Sequence, residues 1–268
     1  MITLEQILNS QSSILKGKHI KLVRHKDSRE QYRDVIKDKN ALLDYQKIQK
    51  KDVFKGCDYI ISFIGMARRR SVMFGVFKVN GCAEIDGLFH YDLERVTEFE
   101  GLVDRLVVDW GGNAISWHQW YDRQPKEVIE LLPQGYIGGF PGLLNFVLAY
   151  NELKQLINNP EANYDWQNHL SAVNGVYMIL DGNTGMQYIG SANGQNGIWQ
   201  RWSDYAVSGH GGNKELISLH SNEPDYYCHF RFSVLQTLPS NITQREIIAV
   251  EALYKEKFGS RAHGLNRN

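Results

Sequence analysis

Two tyrosines, one arginine and one helical glutamate are the residues of this chain whose types and order could do chemistry together. Tyr177 closes Gly175-Val176-Tyr177, and Tyr188 opens Tyr188-Ile189-Gly190. Arg201 follows in Gly197-Ile198-Trp199-Gln200-Arg201-Trp202, with Tyr205 one helical turn later on the same face. Glu251 is the one acid inside the apolar run 247–253. A planar guanidinium fits a phosphate through two parallel donors. A carboxylate in an apolar run needs a cation, a metal or hydrogen-bond donors, because burying it unpaired is costly. Magnesium binds one or two carboxylates and keeps several waters, so a single glutamate suffices. A phenol, a guanidinium and a lone carboxylate are thus the parts for hydrolysing a phosphodiester with one divalent ion, Mg²⁺ or Mn²⁺. The plainer reading is a packed hairpin, a solvated arginine and a structural ion pair at Glu251.

The elements that would position these residues are legible in the pattern. Residues 175–180 read as a strand, 181–185 as a Gly-containing turn and 186–189 as the returning strand. Residues 198–207 read as a helix, 214–219 as a shorter one and 230–235 as a third strand. Thr243 followed by Glu246 has the form of a capping box, opening a helix that runs to about Phe258 and stops at Gly259. Asn266, in Gly264-Leu265-Asn266, is placed to return to that helix as a hydrogen-bonding anchor. A small antiparallel sheet mixed with helices makes the expected class α+β.

In this order and spacing the constellation resembles the GIY-YIG nuclease family. The match runs from Gly175 to Asn266 and comprises the two tripeptides, Arg201, Tyr205, Glu251 and Asn266. The resemblance implies a metal-dependent endonuclease acting on double-stranded DNA and leaving 3′-hydroxyl and 5′-phosphate ends. It implies Tyr177 as general base helped by Tyr188, Arg201 as stabiliser of the phosphoryl transition state, Glu251 as metal ligand and Asn266 as an orienting group. Tyr205 stands where many relatives have histidine and others tyrosine. A phenol is a poor base at its unperturbed pKa of about 10, so nearby positive charge must favour the phenolate. Ser191 stands where excision-repair relatives carry a basic residue, which lowers the case for a structure-selective repair or recombination nuclease. Residues 202–213 resemble an insertion of restriction-type members, and His210 within them is a candidate substrate contact. The remaining alternative is a non-catalytic DNA-binding protein on a degenerate nuclease core.

The first part of the chain differs in texture and charge. Net charge is +0, yet residues 16–78 hold about 17 Lys and Arg against about 7 Asp and Glu. Such a basic region suits a polyanion. Residues 58–63 and 72–79 read as strands joined by a turn with Arg68, Arg69 and Arg70 at its tip. Residues 102–110 and 115–120 read as two more, while Leu4, Ile7, Leu8 and Tyr32, Val35, Ile36 have helical spacing. The expected N-terminal architecture is a mixed, β-rich, barrel-like domain, a small barrel or a curled sheet with helices at its edge, and its short-strand pattern resembles the PUA-like barrels that read modified bases. Arg68, Arg69 and Arg70 are candidates for phosphate or guanine contacts, and Lys16, Lys18, Lys21, Arg24 and Lys26 for tracking a backbone. Trp117, with Trp110 and Trp120, is a candidate for stacking on an extruded base.

The expected layout is a DNA-recognition domain over 1–140, a helical connector over 141–164 built on a helix at 143–157, and a nuclease domain over 165–268. Restriction or defence is the expected role, because a small nuclease core has little surface for choosing a site. Cutting both strands with one site per chain requires a homodimer or successive nicking. The three scattered cysteines suggest neither a disulfide framework nor a zinc site. No apolar run reaches the ~20 residues of a membrane span, the first residues carry no secretory pattern, and a cytoplasmic location is expected.

Overall fold

A computed structural model of the chain describes residues 1–26, 35, 39–112, 116–223 and 225–266. The expected helical positions Tyr32 and Ile36, and Ile115 of an expected strand, lie outside the described residues. No helix among the described residues is long and apolar enough to cross a membrane. The chain divides into two compact units, Met1–Pro133 and Gln134–Asn268.

In the first unit Thr3 and Gln6 form a capping box that starts α1 (Leu4–Gln11), whose buried Leu4 and Leu8 join the core. The strands are β1 (Ile20–His25), β2 (Ile48–Gln49), β3 (Tyr59–Gly65), β4 (Arg70–Ile85), β5 (Leu88–Arg95), β6 (Leu106–Asp109), β7 (His118–Trp120) and β8 (Val128–Leu131), with α2 (Lys39–Lys47) before β2. They form one sheet in the order β2-β5-β4-β3-β1-β7, with β6 pairing β4 and β8 off that path. Among the described residues no ladder joins β2 to β7, so of the two expected forms, small barrel or curled sheet, the strands take the curled one.

The β1 strand was not expected from the sequence, and it lies inside the sheet, parallel to β3 and antiparallel to β7. All six of its residues are buried. Leu22 packs with Phe63 and Trp110 on one face, and Val23 with Ile60, Phe74 and Phe77 on the other. A strand covered on both faces has no polar alternation to betray it.

In the second unit the elements are β9 (Leu148–Ala149), α3 (Tyr150–Asn158), α4 (Tyr164–Ser171), β10 (Asn174–Asp181), β11 (Gln187–Ala192), α5 (Gly197–Ser208), α6 (Lys214–Asn222), β12 (Phe230–Leu238), α7 (Gln244–Lys257) and α8 (Ser260–His263). The antiparallel sheet runs β11-β10-β12-β9. Residues on α3, α4 and α5, among them Tyr150, Leu153, Leu156, Trp166, Leu170, Ile198 and Trp202, cover one face together with Tyr177, Ile179 and Phe232. The other face, with Val176 and Ile189, is covered by Ile247, Val250 and Tyr254 of α7. The mixture is α+β.

The region expected as a connector packs inside this second unit. Its helix begins at Tyr150, seven residues later than the periodicity suggests, because Leu148 and Ala149 pair with Phe232 and Arg231 as a fourth strand.

Candidate active site

Strand register decides which side chains meet. Tyr177 is opposite Gly190, and Ile179 is opposite Tyr188, so Tyr177, Tyr188 and Gly190 share the face that α5 covers. A Cβ on Gly190 would lie 2.5 Å from the Tyr177 hydroxyl and 2.9 Å from Cε1 of Tyr188. Glycine is therefore required there: the two rings lean over its backbone.

One helical turn on α5 brings Arg201 and Tyr205 to the same place. Arg201 Nε donates to the Tyr177 hydroxyl at 3.1 Å, Nη2 to the Tyr205 hydroxyl at 3.3 Å and Nη1 to the Gly211 carbonyl at 2.9 Å. The two phenol oxygens are themselves hydrogen bonded at 3.1 Å. Gly209, at φ +76°, ends the helix with its N–H on the Tyr205 carbonyl. The chain can then fold back so that Gly211 reaches Arg201, and a Cβ on Gly211 would strike the Tyr205 ring at 2.6 Å. Each hydroxyl has one proton, and the bond between the two uses one. The second phenol proton is spare.

Tyr177 and Tyr205 are fully buried, whereas Arg201 keeps 31% of its side chain exposed and also lies 3.8 Å from Asp204. Burial pushes the Tyr177 phenol well above the ordinary tyrosine value, Tyr188 adds to the rise, and Arg201 and the Tyr205 hydrogen bond offset it only in part. Burial likewise raises Tyr205, reinforced by Tyr177 and Tyr188. For Arg201 burial works against the charge, but Tyr177 and Tyr205 outweigh it and hold the guanidinium protonated. The positive charge expected to favour a Tyr177 phenolate is present, but burial outweighs it: in this state Tyr177 is a neutral phenol.

Glu251 reaches the same edge strand from the other side. Ser191 follows Gly190 and points with Ile189 toward α7, where its hydroxyl donates to Oε2 of Glu251. The other carboxylate oxygen, Oε1, is 2.7 Å from the ammonium of Lys255 one turn further along α7. The tyrosine–arginine group and the glutamate thus converge on Gly190 and Ser191, adjacent residues of β11. Asn266 secures that strand rather than the helix expected. Its Oδ1 accepts the Ile189 N–H and its Nδ2 donates to the Ile189 carbonyl, both at 2.8 Å. Leu265 N–H donates to the Gln187 carbonyl at 2.8 Å. An outer-edge strand is closed off in this way with its backbone satisfied.

Among the described residues no three His, Cys, Asp or Glu cluster to hold a metal. The donor type still fits a water-rich Mg²⁺ or Mn²⁺, which takes hard oxygen from one or two carboxylates, and Glu251 is the residue that would hold it. Lys255 was missed in the sequence; its signal is the spacing of four from Glu251, which places the two side chains together on a helix.

Two solved structures match the chain. One is the catalytic domain of the homing endonuclease I-TevI, at 22% identity and a TM-score of 0.28, covering 35% of this chain and 96% of that one. The other is a mutant form of the catalytic domain of the same intron endonuclease, at 21% identity and a TM-score of 0.29, covering 36% of this chain and 94% of that one. No family model matches, and no curated protein matches either.

The remaining candidates separate into exposed and committed residues. His210 is half-buried in the loop beside Gly211, its Nδ1 accepting the Gly212 N–H at 3.0 Å. In the first unit Lys18 and Arg68 are exposed, and Trp117 is 36% exposed. Arg69 pairs with Asp109 at 3.0 Å and Arg70 with Glu130. Lys21 and Arg24 do not form the expected backbone-tracking surface. Lys21 is buried, donates to the Val53 carbonyl and lies 4.5 Å over the Trp120 ring. Arg24 is 3% exposed and donates to the carbonyls of Arg68 and Arg70 at 3.2 and 3.3 Å. Both belong to β1, and the strand's place inside the sheet takes them from solvent. Trp110 is fully buried, its indole N–H donating to the Ser116 carbonyl, so of the three tryptophans it is a core residue.

Proposed function

We propose that the second unit is a metal-dependent endodeoxyribonuclease that hydrolyses double-stranded DNA to 3′-hydroxyl and 5′-phosphate ends. In this reading the first unit selects the sequence or base modification, in a restriction or defence role. The observation that carries it is one partly exposed guanidinium bonded to two phenol oxygens above an edge-strand glycine. That arrangement supplies a fixed cation for a phosphate, with a spare phenol proton beside it.

Water attacks phosphorus, the bond from phosphorus to the 3′-oxygen breaks, and that oxygen leaves and takes a proton from solvent. The Tyr177 phenol first releases its own proton to solvent, and the phenolate then accepts the proton lost by the attacking water, with Tyr188 alongside; burial makes that phenolate costly, so the positive charge of Arg201 is needed at 3.1 Å. Arg201 meets the charge that builds on the phosphoryl oxygens, already held by three acceptors and so costing little reorganisation. A divalent ion on Glu251 would stabilise the charge on the leaving oxygen. One such site cuts one strand, so a double-strand break takes a second copy or a second nick.

The test is digestion of plain, 5-methylcytosine-containing and hydroxymethylated DNA with Mg²⁺, followed by end sequencing. A defined cut on one substrate class is the expected result, lost in Glu251→Ala and Tyr177→Phe while DNA binding persists. Full activity in either variant sinks the mechanism, and random degradation of all three DNAs removes the restriction role. A second reading, a DNA-binding unit without catalysis, draws on the neutral Tyr177 and on the Lys255 ammonium at Glu251. Binding with no cleavage in either Mg²⁺ or Mn²⁺ would select it.

A further inference from the structure

The carboxylate assigned above to a metal already has a cation. Lys255 Nζ sits 2.7 Å from Glu251 Oε1, and the two side chains are 6% and 18% exposed. An exposed pair at this helical spacing contributes little, but this one is nearly dry. Removing the lysine would leave the Glu251 carboxylate without its cation in a largely water-free place. The second oxygen accepts from Ser191, so the carboxylate is also fixed in orientation. Apolar Ile247, Val250 and Tyr254 flank the pair on α7, which limits the water that could screen it.

We propose that Lys255 is the resident counter-ion of Glu251, and that a divalent ion binds only by displacing its ammonium from Oε1. The inference rests on the reading of Glu251 as the metal residue. Its physical basis is direct: two cations cannot share one carboxylate oxygen in a low-dielectric site without strong mutual repulsion. Lys255 then has two roles. In the metal-free protein it keeps a buried carboxylate neutralised and α7 docked. In the binding equilibrium it sets a threshold, so that the site fills only at higher divalent-ion concentration than a bare glutamate would need. The long lysine stem allows this, because the head group can swing away while the methylenes stay packed. Lys255 is a positioning residue in this scheme and touches no substrate.

Mn²⁺ binding to the full-length protein tests it, read by electron paramagnetic resonance of the free ion and by calorimetry, both independent of cleavage. Lys255→Met should bind Mn²⁺ at least tenfold more tightly than the unmodified chain, and Lys255→Arg, which keeps the charge, should not. Thermal melts should show Lys255→Met less stable than the unmodified protein without metal and stabilised more by added Mn²⁺. Unchanged or weaker binding by a folded Lys255→Met overturns the proposal. Should that variant not fold, Mg²⁺ titration of the unmodified protein decides, followed by the Lys255 side-chain carbon resonance. A shift that saturates with metal binding supports displacement, and an unmoved resonance refutes it. Glu251→Gln separates the two levels. If it binds Mn²⁺ as well as the unmodified chain, Glu251 is not the metal residue and both readings fall. If it loses binding while Lys255→Met changes nothing, only the role of Lys255 falls.

Discussion

Replacing Gly190 by alanine tests the geometry of the site at its tightest point. The added Cβ would sit 2.5 Å from the Tyr177 hydroxyl and 2.6 Å from its Cζ, where ordinary contact begins near 3.4 Å. The phenol must therefore retreat by roughly 0.9 Å, or β11 must move by as much. Tyr177 has no free space to move into, being fully buried against Trp202 and Tyr205. A retreat of that size stretches its 3.1 Å bonds to Arg201 and Tyr205 beyond hydrogen-bonding range. Overpacking costs about 1–3 kcal/mol, and each weakened bond adds about 1 kcal/mol. The expected loss is about 3–5 kcal/mol, a fall in Tm of roughly 15 °C for a unit of this size. A domain with 5–15 kcal/mol in hand stays folded. Cleavage should fall by about a hundredfold, because misplacing a reacting group by about 1 Å costs that much. The assay pairs differential scanning calorimetry with nicking of supercoiled plasmid. Gly139→Ala is the control, since a Cβ there meets nothing nearer than the Tyr136 hydroxyl at 3.7 Å. A Gly190→Ala protein with unchanged Tm and unchanged nicking would refute the convergence of the two tyrosines on this glycine.

Two further outcomes follow from burial. Tyr177 and Tyr205 have phenols raised above the unfolded value of about 10. Their contribution to stability is complete below pH ~10 and is lost as pH rises toward the folded values. Urea midpoints should fall from pH 10 upward, and less steeply in the double variant Tyr177→Phe, Tyr205→Phe; equal slopes in the two proteins would contradict the buried, protonated pair. Within the basic region, Lys21→Ala should lower stability by about 2 kcal/mol, through loss of its carbonyl bond and its ring contact, with the salt dependence of DNA binding unchanged. Lys18→Ala should do the reverse, reducing the salt slope by about one with an unaltered melt; identical behaviour of the two would show that exposure does not sort these lysines.

Local signals carried most of the second unit. The Tyr177 and Tyr188 strands, the turn between them, the helix bearing Arg201 and the Thr243–Glu246 capping box all stand where residue spacing places them. These are short-range features, set by turn chemistry and side-chain period. What stayed hidden depends on contacts distant in sequence. The β1 strand reads as a basic surface because Lys21 and Arg24 look solvated, and only pairing with β3 and β7 buries them. Leu148 and Ala149 carry no strand signal of their own; β12 recruits them. The sequence places Asn266 as a hydrogen-bonding anchor on the last long helix, and that it bonds Ile189 instead appears only when the chain folds back along β11. The direction of the Tyr177 shift was equally out of reach, since it turns on burial rather than on the nearby arginine.

The two residues of β9 set the limits within which the fold of the second unit could be exchanged between proteins. By lying against Phe232 and Arg231 they occupy part of the outer side of β12, while α3 delivers Tyr150, Leu153 and Leu156 to the interior. A fragment starting at residue 165 would shed both, leaving an apolar strand free to recruit another chain and a core with three large gaps. A piece that travels intact therefore starts near Gln134. Recombination that joined this fold to a different partner unit would leave its scar in the glycine- and proline-rich stretch before Leu148, upstream of the strands that carry Tyr177 and Tyr188.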